Sequence, residues 1–138
     1  MKPYMLALLT AFCWGVAPIF EKWSLLQASP LTVLTVRNLF ISAVLLVVCL
    51  FTGGLQELRR VDGNLFFLIA MGGLFGGLVG LFIYFWALQR DLASTIVPVA
   101  GSYPLFAVLF SILLLGEPFS WPRLLGALLV VAGIFLVQ

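Results

Sequence analysis

The stretch LLLGEPFSWPRLLG, Leu113 to Gly126, decides how this chain folds. Two apolar runs meet there across a few residues that carry one acid, Glu117, and one base, Arg123. Gly116 can end a helix, and Pro118 stops it from continuing. Ser120 can cap the next helix, and Pro122 sits where a first-turn proline is tolerated. Trp121 is placed for the lipid headgroup level. The stretch reads as a tight interfacial hairpin between two antiparallel helices that both avoid water.

The rest of the chain extends this reading. Its 138 residues suffice for one domain; 64% are hydrophobic and 9% charged, with a mean hydropathy of +1.24. A soluble domain carries roughly a quarter charged residues, so this chain has too few to cover a water-facing surface. The charges sit at 2, 21–22, 37, 57–62, 90–91, 117 and 123, and between them lie the charge-free runs 3–20, 38–56, 63–89, 92–116 and 124–138. About 20 mostly apolar residues cross the hydrocarbon core as a helix. The pattern predicts an all-α integral membrane protein with five transmembrane helices near 4–20, 31–52, 64–87, 94–115 and 121–137, forming a single membrane domain over 1–138. Lipid-exposed backbone must satisfy its own hydrogen bonds, and the alternating ten-residue segments of a membrane barrel are absent.

Several other readings fall away. The N-terminal stretch lacks small-x-small at a sensible cleavage point, and Pro18 follows Ala17, so it is expected to be retained as a helix. Cys13 and Cys49 fall inside spans and read as core thiols rather than a disulfide. Without His, and with two isolated Cys, no metal-site spacing exists, and no cofactor is expected. The basic residues are too few and scattered for a nucleic-acid patch. Enzyme chemistry is not expected: there is no nucleophile–base pair, and GGLFGGLVG lies away from any Lys or Thr that would complete a phosphate-binding loop.

Alternating helices sort the charges onto two sides. The N-terminal side holds four bases, Lys2, Arg59, Arg60 and Arg123, with Glu57, Asp62 and Glu117. The other side holds three, Lys22, Arg37 and Arg90, with Glu21 and Asp91. Cytoplasmic loops attract Lys and Arg, so the N-terminus is weakly favoured inside. Such a near balance permits either a fixed topology or both orientations of one chain in the same membrane.

Four places break helical rules or place charge within a span. In GGLFGGLVG, Gly72, Gly76 and Gly80 fall at i, i+4 and i+8 with Gly73 and Gly77 alongside, a smooth seam for close helix packing within the chain or between protomers. Gly126 and Gly133 repeat the theme in the last helix. In STIVPVAGSYP, Pro98 and Pro104 each remove a donor around Gly101 and Ser102. A break at that depth either builds a substrate site or merely kinks the helix. In CWGVAPIFEK, Gly15 and Pro18 can bend the first helix, and Trp14 lies deep enough to face protein or a cavity. Arg37, beside Asn38, lies about two turns into the second helix; it can mark a pathway, form an ion pair or snorkel to the interface. Glu21 is its first candidate partner and Asp91 its second. No acid lies at mid-membrane, which argues against the small four-helix multidrug exporters.

These residues resemble a known family. WG…P…K in the first helix, an Arg early in the second, and ALQRDLASTIVPVAGSYPLFAVLFSILLLGEPFSWPRLLGALLVVAGIFLV are similar to the EamA-type repeat of the drug/metabolite transporter superfamily. Most members resemble two such repeats fused as an inverted pair of about ten helices, whereas this chain has one. The resemblance implies a half-size member, and since five is odd, a homodimer imitating the fused form is antiparallel. It also implies a cavity lined by helices one, three and four, with Trp14, Pro18, Tyr84, Ser102 and Tyr103 as lining positions beside Arg37, Asn38, Pro98 and Pro104. The expected function is a secondary transporter, an exporter or exchanger, of small organic metabolites or drugs in the plasma (cytoplasmic) membrane. It would work as an antiparallel homodimer by alternating access, with Glu21, Arg37 and Asp91 as an ion-pair gate. The alternatives are an accessory subunit of a heteromeric membrane complex and a flippase of a lipid-linked substrate.

Overall fold

The computed structural model describes residues 2–136. Its elements are α1 (Pro3–Leu25), α2 (Pro30–Thr52), α3 (Gly54–Leu58), α4 (Gly63–Gly72), a π-helical segment (Gly73–Val79), α5 (Gly80–Arg90), α6 (Ala93–Ala100), α7 (Tyr103–Leu115) and α8 (Trp121–Ile134). No strand occurs among the described residues.

Four helical stretches are long and apolar enough to cross a membrane: Pro3–Leu25, Pro30–Thr52, Gly63–Arg90 and Ala93–Leu115. The last helix, Trp121–Ile134, is apolar but shorter, at 14 residues. Val137, the end of the expected span 121–137, lies outside the described residues.

The helices begin and end where local chemistry directs. Ser29 caps α2, its hydroxyl accepting from Thr32 N–H at 3.2 Å, and Pro30 opens the first turn. Asp62 caps α4, accepting from Leu65 N–H at 2.8 Å. Gly53 ends α2 at φ 77°, a left-handed conformation that glycine adopts without a Cβ penalty. The first helix outruns its expected end at residue 20 by five residues, to Leu25. Charge at Glu21 and Lys22 suggested a stop, but Glu21 pairs with Arg37 of α2 and Lys22 donates to Leu88 O of α5.

The chain divides into two compact units. One comprises residues 19–89. Its core is Leu25, Leu34, Phe85 and Leu88, each at most 2% exposed. Polar stitching surrounds that core. Lys22 Nζ donates to Leu88 O at 2.6 Å, and Gln89 Nε2 donates to Leu25 O at 2.9 Å and Ala28 O at 3.3 Å. Each bond satisfies a carbonyl near a helix end, where no intrahelical N–H reaches. The other unit comprises residues 1–18 and 90–138. Within it α8 packs along α7 and also meets α6, with Ala127 of α8 buried at the contact face. Most large apolar side chains elsewhere are exposed, including those along α2 and α4. In lipid this carries little penalty, because acyl chains are as apolar as leucine; close packing and polar satisfaction set helix association instead.

Candidate functional site

The fourth apolar stretch is broken. Pro98 sits inside α6 without ending it, and the helix runs on to Ala100. Gly101 N–H then donates to Val97 O at 2.9 Å, and Ser102 N–H reaches only to Val99 O, at 3.1 Å. The helix restarts at Tyr103, with Leu105 N–H donating to Ser102 O at 3.1 Å. Pro104 lies in the first turn of α7, where its missing donor costs nothing. The two prolines therefore differ in effect: one is carried within a helix, and the other opens a new one. Gly101 is required by space, since a Cβ there would lie 2.9 Å from Pro98 O and 3.3 Å from Val97 O.

Tyr103 meets the first helix. Its ring lies edge-on to Trp14, centroids 6.2 Å apart at 65°. Both rings keep more than half their surface open, 54% for Tyr103 and 60% for Trp14. Pro18, one turn on from Trp14, is buried, while Ser102 and Pro104 are half-buried beside the break. Trp14, Tyr103 and the break thus share one unit. Tyr84 belongs to the 19–89 unit, where its ring lies against Phe85 with centroids 5.9 Å apart.

A second group lies in the 19–89 unit. Arg37 Nε stands 3.9 Å from Glu21 Oε1, with side chains 35% and 12% exposed. Asn38 is exposed next to it. Asp91, in the other unit, lies two residues before α6, and its Oδ1 accepts Leu92 N–H at 2.6 Å.

The glycine run takes an unexpected form. Gly73–Val79 is π-helical, and Gly80 N–H reaches back five residues to Phe75 O. A Cβ on Gly80 would lie 2.7 Å from that oxygen, so this glycine is fixed by the wide turn itself. A Cβ built at Gly72, Gly73, Gly76 or Gly77 would meet no other described atom within 4 Å, and the same holds for Gly126 and Gly133.

Sequence reasoning missed a cavity at the α7–α8 hairpin. It measures about 290 Å³ and is lined by Ser111, Glu117, Pro118, Ser120 and Arg123 with apolar residues of α7. The signal was present in the two charges that punctuate the turn. Cys13 is exposed and Cys49 half-buried, both as free thiols. Among the described residues, no three His, Cys, Asp or Glu side chains converge as a metal site would require.

These features define a multi-pass, all-α membrane protein with one apolar span interrupted beside an open aromatic pair. The chain belongs to the EamA-like transporter family, which matches it over residues 1–138. It is 32% identical over 134 residues to the uncharacterized inner membrane transporter YhbE of Escherichia coli K12, covering 94% of this chain and 40% of that protein. It is 28% identical over 134 residues to the riboflavin transporter ImpX of Fusobacterium nucleatum, covering 96% of this chain and 44% of the relative. The chain thus spans less than half the length of these two curated relatives. A 27% identical uncharacterized transporter of a Sinorhizobium species is matched over 95% of this chain and 92% of its own length. No solved structure matches the chain.

Proposed function

We propose that this chain is a secondary transporter of small organic metabolites or drugs, with five spans forming one EamA-type repeat over 1–138. It works in the cytoplasmic membrane as an antiparallel homodimer by alternating access. The observation that carries this reading is the two-residue break at Gly101–Ser102, set beside the half-open Trp14–Tyr103 pair. The two residues keep near-helical dihedrals, so the break is a turn within the helical stretch, and transporters place substrates where such helices are interrupted. Family membership supports transport. The Sinorhizobium relative, similar in length to this chain, supports a single repeat as a working unit.

In the proposed cycle, an organic solute sits against Trp14 and Tyr103 near the break. The Glu21–Arg37 pair acts as a gate by making and breaking its ion contact. The glycines at 72, 73, 76 and 77 leave room for a neighbouring helix to slide.

Untargeted mass spectrometry of cells and medium tests transport without assuming a solute. Cells making the wild-type chain should redistribute at least one small organic metabolite across the membrane. Cells making Trp14→Ala at equal membrane abundance should not. Identical metabolite distributions in the two would contradict the proposal.

A further inference from the structure

The α7–α8 hairpin carries an arrangement that the proposed transport cycle leaves out. Gly116 turns at φ 68°, and the N–H groups of Gly116 and Glu117 both donate to Ser111 O, the latter at 3.2 Å. This turn sets the Glu117 carboxylate just beyond the C-terminal end of α7. Carbonyls without partners give that end a negative character, so the added carboxylate makes a site for a cation. Four residues on, α8 begins, and the N–H groups of its first turn give the opposite character. Arg123 stands in that turn, and Ser120 precedes it with a hydroxyl that makes no cap bond. The hairpin thus has a negative end and a positive end, side by side around one cavity of about 290 Å³.

The two charges touch only loosely. Arg123 Nη1 and Glu117 Oε2 are 3.5 Å apart, with side chains 60% and 48% exposed. Water screens an exposed pair of this kind, so a ligand that meets both charges displaces little. The polar part of the lining, Glu117, Ser120 and Arg123, follows a 23-residue apolar stretch that ends at Leu115, where a span of that length reaches the headgroups. Phe119 and Trp121, edge-on with centroids 5.1 Å apart, mark the same level. The apolar part of the lining, Ala107, Val108 and Ile112, continues down α7 toward the acyl region.

We propose that this cavity binds the headgroup of an aminophospholipid, phosphatidylethanolamine. Glu117 accepts hydrogen bonds from the primary ammonium. Arg123 and Ser120 donate to the phosphate, and an acyl chain lies along the apolar lining of α7. The chemistry selects a primary ammonium, because a trimethylammonium has no N–H to offer the carboxylate.

Native mass spectrometry of the full chain in detergent tests the site. Phosphatidylethanolamine, phosphatidylcholine and phosphatidylglycerol of matched acyl chains are added at equal concentration. The wild type should retain phosphatidylethanolamine at least tenfold over phosphatidylcholine. Glu117→Gln should bring the two level, and Arg123→Gln should weaken all three lipids about tenfold. Glu57→Gln, in another loop, should change nothing. Gel filtration and helical circular dichroism verify folding, and Arg123→Lys, which keeps the charge, serves if Arg123→Gln fails to fold; it should retain most of the binding. Equal retention of phosphatidylethanolamine and phosphatidylcholine by the wild type would overturn the proposal. So would tighter binding of phosphatidylglycerol, or selectivity that survives Glu117→Gln.

Discussion

Arg37 of α2 holds its Nε 3.9 Å from Oε1 of Glu21 in α1, and the carboxylate is the more enclosed of the two, at 12% exposure against 35%. The pair ties together two helices that the chain connects through only a short turn. Its asymmetry sets what removal of either partner does. Without Arg37, a carboxylate is left enclosed with its counter-charge gone. Without Glu21, the half-open guanidinium can turn toward the interface.

Arg37→Ala is therefore expected to be the more damaging single change. Breaking a fully buried pair costs about 3–5 kcal/mol; partial exposure here brings the expectation to about 1–2 kcal/mol. Thermal unfolding in detergent should show that loss, with membrane insertion intact and transport abolished. Glu21→Gln together with Arg37→Ala should restore stability and leave transport absent. Failed insertion of Arg37→Ala would make the pair structural and contradict a gating role.

Lys22 and Gln89 form a reciprocal clamp between the end of α1 and the end of α5, through Leu88 O, Leu25 O and Ala28 O. A hydrogen bond from a charged donor contributes about 1.5–3 kcal/mol, and a cation at a helix C-terminus adds to it. Lys22→Met should lower stability by about 1–2 kcal/mol and Gln89→Leu by about 1 kcal/mol. Because the two act on adjoining helix ends, the double variant should lose less than the sum, as a double-mutant cycle would read.

Gly80 and Gly101 each leave no room for a Cβ, at 2.7 Å from Phe75 O and 2.9 Å from Pro98 O. Gly80→Ala and Gly101→Ala should each cost about 1–3 kcal/mol, since backbone must move. Gly72→Ala and Gly76→Ala, with open space in the chain itself, should change the stability of the isolated chain by no more than about 0.5 kcal/mol. Chemical unfolding of the four variants in one detergent separates the two classes.

Trp14 and Tyr103 meet edge to face, an arrangement worth about 0.5–1.5 kcal/mol. Tyr103→Phe keeps the ring and should retain transport to within about twofold. Tyr103→Ala should reduce it at least tenfold, at unchanged membrane abundance. Equal loss in both variants would place the function in the hydroxyl rather than in the ring.

Much of the helical pattern was legible before any coordinates, because charge-free runs of membrane length admit few alternatives. The hairpin at Gly116–Ser120 was legible because glycine, proline and serine each act locally. The ends were less so. Glu21 and Lys22 read as a stop, yet α1 continues because Lys22 reaches Leu88 O, 66 residues away, a partner that local sequence does not reveal. The π-helical form of Gly73–Val79 was also hidden: five glycines permit a wide turn as readily as an ordinary one. Ser120 takes the N-cap position of α8, but its hydroxyl makes no cap bond. The pairing of Trp14 with Tyr103 depends on how α1 meets α7, and residue spacing carries no trace of it.

The most direct test of the antiparallel homodimer is the topology of the C-terminus. Two reporters, one active only in the cytoplasm and one only outside it, are fused in turn to Gln138. Comparable signal from both is predicted, because the proposed five-span arrangement puts four bases on one side and three on the other and so leaves insertion nearly unbiased. Signal from one reporter alone would mean that every copy faces the same way, and would contradict an inverted pair made from this chain.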